Sequence, residues 1–293
     1  MAAHGRGAIR RRRPGDSPVH GGRQVTQVEE TTRQRDRARM VEREIAASRR
    51  FHAMCVGTAK SGTHSMAAIF GREYASAHEP EHRLMIDTIL AREAGDLTDR
   101  QLADLLQHRD RRMNLEMDSS QLNGHLIDIL VNLFPAAKFV LTIRDVYSFV
   151  NSAIDHHIAH AGGSEEWRRI NHLKFGGFEH GRHDGLLEEL GLFPLAGYVA
   201  YWVRHNQGVL DAVPAERLLV VPTTEIRDRF EQIAEFLGIG VDTLDSERSH
   251  EYPAVRKLDA LGRLEREYVE DRVQSCCAGL MGKYFPDVTW APR

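Results

Sequence analysis

Residues 52–66 read HAMCVGTAKSGTHSM. The pattern predicts a short apolar strand over 52–57, a glycine-bearing loop, and a helix from Thr63 to about residue 75. Backbone N–H groups at such a turn point outward together, and the helix dipole adds partial positive charge. The turn therefore suits a phosphate-like anion. Gly57 and Gly62 keep the G-x4-G spacing of a nucleoside-triphosphate loop. That motif needs Lys and then Ser/Thr after its second glycine, and here Thr63 and His64 follow. The lysine stands inside the loop, at Lys60. The stretch reads as built for an anion but not for magnesium-ATP, the plainer alternative being an ordinary strand–helix turn.

A second stretch, KFVLTIRDVYSFVNS at 138–152, has the same organisation. Residues 138–143 are nearly all apolar and predict a buried parallel strand. The strand ends in Arg144-Asp145, with Ser148 and Ser152 on the helix that follows. An arginine offers a planar fork for phosphate, and serine adds a neutral donor. An arginine at a strand end can also simply pair with a neighbouring carboxylate.

Together these motifs resemble those of the sulfotransferases that use 3′-phosphoadenosine 5′-phosphosulfate. The donor loop of that family reads Arg/Lys, a small residue, Gly, then Thr/Ser residues, and Lys60-Ser61-Gly62-Thr63 matches it, with His64 in a slot that is often Thr or Ser. A later strand of the family ends in Arg-Asp/Asn-Pro, with a Ser two helical turns on. Arg144 and Ser152 fit, with Val146 in place of the Pro. The resemblance spans about 51–285. It implies a single α/β domain with a central parallel sheet and helices on both faces, a fold related to nucleotide kinases.

It also implies roles. Lys60, Ser61, Gly62, Thr63, His64 and Ser65 would bind the 5′-phosphate and sulfuryl group. Arg144 and Ser152 would grip the 3′-phosphate. The product would be adenosine 3′,5′-bisphosphate, and no metal is required. Arg256-Lys257 stand near where cytosolic members carry an Arg-Lys-Gly loop, although the glycine comes only at Gly262. His78-Glu79-Pro80 resembles the Glu-Pro of carbohydrate-type sulfotransferases, whose Glu is the general base. Pro80 is expected to hold Glu79 extended. His78 is the second candidate base, although strand alternation would aim it to the other face. The region where phenol and steroid enzymes carry a His, residues 116–120, has none. There Asp118 is read as orienting the acceptor or the base, or else Asp118 and Ser119-Ser120 as capping the helix at 121.

The acceptor is expected to be a hydroxyl or amine of a small molecule, carbohydrate or lipid-linked alcohol, and the enzyme a soluble, cytoplasmic, bacterial-type one. Trp167, Phe175, Phe178, Phe193, Tyr198, Tyr201 and Trp202 fall where the family builds its acceptor wall, or else in helix core. Two other readings stand beside this one: a nucleotide kinase of related fold, and a non-catalytic nucleotide-binding protein.

Composition sets the frame. The chain has 293 residues and a formal net charge of −3. Residues 1–50 hold 13 Arg and no Lys against 6 acidic residues, a net of +7, which leaves −10 for the remainder. Residues 1–50 are read as a basic, disordered tail followed by a polar helix, and 51–293 as the folded domain. Arg10–Arg13 are read as solvated, with no specific nucleic-acid partner. No 18-residue apolar run predicts a membrane span. Three cysteines, one of them inside a strand, suggest free thiols in a reducing compartment. The 16 histidines are scattered, and His156, His157 and His160 are read as the polar rim of a cleft, not a metal site.

The remaining expected elements are a strand over 74–78, helices over 83–93 and 98–108 with a Thr98 cap, a strand over 113–117 and a helix over 121–134. A helix over 145–160, a flexible insertion over 161–192, a helix over 195–212, a strand over 217–221 and helices over 224–237 and 262–283 complete the series.

Overall fold

Strand β1 (Ala53–Cys55) is buried along its whole length, which is why its sequence is a continuous apolar run. Ala53 and Cys55 face one helical layer. Met54 and Val56 face the other. Among the described residues four more strands run parallel to it: β2 (Ser76–His78), β3 (Met117–Ser119), β4 (Lys138–Ile143) and β5 (Leu218–Pro222). Their order is β2-β3-β1-β4-β5, so β1 lies in the centre. The computed structural model describes residues 49–160, 163–250 and 259–289, all within one compact unit that begins at Arg49. The expected basic tail and polar helix, and Arg256 and Lys257, lie outside the described residues.

Ten α-helices join the strands among the described residues. They are α1 (Thr63–Phe70), α2 (His82–Glu93), α3 (Asp99–Met113), α4 (Ile127–Leu133), α5 (Val146–Ala159), α6 (Glu165–Phe175), α7 (Gly185–Glu189), α8 (Leu195–Ala212), α9 (Phe230–Leu237) and α10 (Arg266–Tyr284). Helices α1 and α9 cover one face through Met66, Ile69, Phe230 and Ile233. Helices α2, α3 and α4 cover the other through Met85, Ile89, Leu102, Leu106 and Leu130. A third cluster, holding Phe149, Tyr198, Trp202 and Val269, binds α5, α8 and α10 together. The expected α/β architecture is therefore present.

Three expectations are corrected. The third strand is Met117–Ser119, and Met113 ends α3. Polar Asp118 and Ser119 occupy a fully buried strand because each has a partner: Arg109 Nη1 donates to Asp118 at 2.6 Å, and Ser119 Oγ donates to the Thr63 carbonyl at 2.6 Å. The helix expected over 121–134 is a short 3₁₀ segment, Gln121–Leu126, followed by α4. The stretch 161–192, expected to be flexible, carries α6 and α7, because Ile170, Phe175 and Leu187 are buried. The expected Thr98 cap forms, with Gln101 returning the bond as a capping box.

Gly57 comes two residues after the end of β1, and its surroundings leave no room for a side chain. A Cβ there would lie 2.0 Å from Thr142 Oγ1 and 2.5 Å from both Ser61 Oγ and the Thr142 carbonyl. Two of these neighbours belong to the central sheet and cannot withdraw. We expect Gly57→Ala to destabilise the fold by about 2 kcal/mol or more, measured as the shift in a urea-unfolding midpoint.

Candidate active site

The loop after β1 is pinned on its inner side. Ser61 Oγ donates to the Thr58 carbonyl at 2.7 Å and lies 3.1 Å from Thr142 Oγ1. Ser61 is fully buried, so its side chain turns away from the cleft that the rest of the loop faces. Thr223 Oγ1 donates to the carbonyls of Ser61 and Ile143. On the outer side, Lys60 adopts a left-handed φ of +64°. Such a conformation costs a non-glycine residue on the order of 1 kcal/mol and persists only where neighbours enforce it. Here Arg144 Nη1 donates to the Lys60 carbonyl at 3.0 Å. Gly62, at φ +99°, is the N-cap of α1, and no side chain caps that end.

A cleft of about 1780 Å³ opens over the carboxyl ends of the strands, where open α/β sheets bind ligands. Lys60, Gly62, Thr63, His64, Ser65, His78, Glu79, Arg144 and Ser152 all line it. Of the residues singled out in the sequence, Ser61 turns inward, and Arg256 and Lys257 are outside the described residues.

His78 and Glu79 share the cleft, although strand alternation predicts opposite faces. The reason is that β2 ends at His78 and the chain turns. Glu79 has φ +48°, not the extended geometry expected before Pro80, and Glu81 has φ +55°. The turn is held from two sides: Glu79 N–H donates to the Ser119 carbonyl at 2.9 Å, and Arg109 Nη2 to the Pro80 carbonyl at 2.9 Å. Asp118, considered above for acceptor binding, is instead the buried partner of that arginine. His78 Nε2 lies 3.1 Å from Thr63 Oγ1, and its ring lies 4.7 Å from that of His64. Burial lowers the pKa of His78, with Glu79 opposing and His64 adding to the effect.

Two residues not foreseen in the sequence complete this corner. Gln121 Nε2 donates to Glu79 Oε1 at 2.6 Å, and Lys174 Nζ donates to Gln121 Oε1 at 2.5 Å. Lys174 is only 2% exposed. Nothing near residue 174 in the chain signals this, because the contact spans 53 residues.

The cleft carries charge of both signs, Lys60, Arg144 and Lys174 beside Glu79, Asp145 and Asp155. Burial lowers the pKa of Lys60, as does Arg144, while Asp155 opposes them. Burial brings His156 and His157 down to about 4, helped by His160, Lys60 and Lys174 at the first and by His156, Lys174 and His160 at the second, so both are neutral at pH 7. These histidines face the cleft, as the rim reading expected. Trp167, Phe175 and Phe193 also line it, whereas Tyr198, Tyr201 and Trp202 are buried core and Phe178 is exposed elsewhere. Among the described residues no group of three or more His, Cys, Asp or Glu side chains is placed to hold a metal ion. No described helix is long and apolar enough to cross a membrane. Cys55, Cys276 and Cys277 form no disulfide.

A family profile described as a sulfotransferase domain matches residues 52–257. The chain belongs to the sulfotransferase family. Solved sulfotransferases similar to it include one from Alicyclobacillus acidocaldarius (16% identity, 78% of this chain and 95% of that one, TM-score 0.45). Two others are the sulfotransferase domain of the Synechococcus PCC 7002 olefin synthase (16%, 83% and 90%, 0.36) and that of the curacin biosynthetic pathway (12%, 78% and 98%, 0.36). No curated protein matches the chain. This sulfotransferase-family chain sets Lys60, Arg144 and Glu79 on one cleft.

Lys174 makes a testable demand on stability. Burial lowers its pKa from the ordinary 10.5 to about 8, with Glu79 opposing. The unfolded chain therefore binds more protons than the native one between about 8 and 10.5, and stability rises with pH through that window. Below about pH 8 the buried charge costs the fold roughly 3 kcal/mol. We expect Lys174→Met to melt at or above the wild-type temperature at pH 7, and the gap to close as pH approaches 10.5. Melting curves across that range check it.

Proposed function

We propose that this sulfotransferase-family chain moves a sulfuryl group from 3′-phosphoadenosine 5′-phosphosulfate to a hydroxyl or amine acceptor, with Glu79 as general base. One observation carries the reading: a loop lysine, a strand-end arginine and a turn carboxylate, from the ends of β1, β4 and β2, face one cleft. The uncapped N-terminus of α1, with Thr63, His64 and Ser65, suits the 5′-phosphate and sulfuryl oxygens. Arg144 and Ser152 suit the 3′-phosphate, and Arg256 and Lys257 are further candidates for it.

In this reading the acceptor oxygen or nitrogen attacks sulfur in line with the bridging oxygen. The bond from sulfur to that oxygen breaks as the new bond to sulfur forms. The acceptor proton passes to the Glu79 carboxylate. Adenosine 3′,5′-bisphosphate leaves, and Lys60 neutralises the charge that builds on its oxygen. His78 is the alternative base. The aromatic and histidine-lined outer cleft suits a small-molecule, carbohydrate or lipid-linked acceptor, and the cytoplasm is the expected location.

Calorimetry with adenosine 3′,5′-bisphosphate without magnesium, beside ATP with magnesium, tests the donor site. Binding of the bisphosphate alone is expected. Binding of ATP alone returns the chain to a kinase reading, and bisphosphate binding with no transfer to any acceptor returns it to a non-catalytic one. Arg144→Ala should weaken bisphosphate binding by about 2 kcal/mol. Lys60→Ala should abolish transfer. Glu79→Gln should keep bisphosphate affinity and lose rate by about a hundredfold or more; full activity in that variant removes Glu79 from the mechanism.

A further inference from the structure

We propose that Lys174, acting through Gln121, is a positioning residue that selects which oxygen of Glu79 receives the acceptor proton. This rests on the reading of Glu79 as the base. The argument starts from donor and acceptor inventories. An ammonium has donors only, whereas an amide has one oxygen and one NH₂ group. Because Lys174 Nζ donates to Gln121 at Oε1, that oxygen must face the lysine. The Gln121 NH₂ group then has to face Glu79, and it donates to Oε1 at 2.6 Å. That bond engages one lone pair of Oε1 and weakens its hold on a proton, so Oε2 is the oxygen favoured to receive it. Without the ammonium, the amide could turn over and set its own oxygen against the carboxylate, which is repulsive.

The surroundings of Lys174 support a role outside folding. Its Nζ lies 5.6 Å from the centre of the Trp167 ring and 5.9 Å from that of Tyr201, in a position only 2% exposed. Its charge helps keep His125, His156, His157 and His205 neutral, and Arg204 donates to its carbonyl. Among the titratable groups around it, Glu79 is the one whose charge favours the ammonium. A buried lysine that costs the fold stability, yet connects to the candidate base through one amide, is explained if it serves the reaction.

The test uses the full chain and water as acceptor. Release of labelled sulfate from 3′-phosphoadenosine 5′-phosphosulfate is followed in single turnover for wild type, Lys174→Met, Gln121→Leu, the double variant and Glu79→Gln. Binding of adenosine 3′,5′-bisphosphate and melting temperature are measured beside it. We expect each single variant to lose about tenfold or more in rate with donor-product affinity unchanged, and the double variant to be no slower than the slower single. Lys174→Met should do this without a lower melting temperature. In the wild type the rate should fall as pH rises through about 8, and that fall should vanish in Lys174→Met. A wild-type rate in Lys174→Met beside a slow Glu79→Gln overturns this inference alone. Multiplicative losses in the double variant, or a rate loss that tracks a lower melting temperature, overturn it too. An active Glu79→Gln, or a wild type that releases no sulfate, overturns the base reading and this inference with it.

Discussion

Everything in the cleft depends on how tightly the loop after β1 is packed against the ends of β4 and β5. Gly57 touches Thr142 so closely that a methyl group cannot be added, and the Thr223 hydroxyl ties the Ser61 carbonyl to that of Ile143. A loop fixed on its inner side has only its outer side to offer a ligand. Hence Ser61 is spent on structure, while Lys60, Gly62, Thr63 and His64 face the cleft. The left-handed turn at Lys60 follows from the same constraint, with Arg144 holding its carbonyl in place. The arginine that reads as a phosphate ligand thus also shapes the lysine's backbone.

A second, independent constraint builds the opposite wall. Asp118 is buried, and its partner Arg109 extends to the Pro80 carbonyl. This chain of contacts fixes a turn with positive φ on both sides of Pro80. The turn, not strand alternation, brings His78 and Glu79 into one space. Strain at Lys60 and at Glu79 therefore has the same origin, since both are non-glycine residues held by an arginine that bonds to a nearby carbonyl.

Much of this was legible in the sequence, for a physical reason. The loop after β1 and the β4 end are local motifs, in which neighbouring residues supply both the turn and the polar groups that line the cleft. The strand β4 and helix α8 follow continuous or periodic apolar patterns and fall where those patterns end. What could not be read depends on contacts far apart in the chain. The third strand was misplaced because Asp118 and Ser119 look like surface residues until Arg109 and the Thr63 carbonyl are set beside them. Lys174 sits in a charged helix, where a lysine is ordinarily solvated; only the packing of α6 against α8 buries it. The outer half of the site was harder still, because 161–192 lacks an apolar run even though Ile170 and Phe175 anchor it.

The neutral histidines have one more consequence. Histidine ordinarily supplies most of a protein's buffering capacity near neutrality, and this chain has 16 of them. Those on the cleft wall at His156 and His157 do not contribute to it, because both titrate only at about 4. An anion entering the cleft draws no proton from solution through these two rings near neutral pH. Around these two rings the field it meets is set by the lysine, arginine and carboxylate side chains that share the cleft, Lys60, Arg144, Glu79 and Asp155 among them.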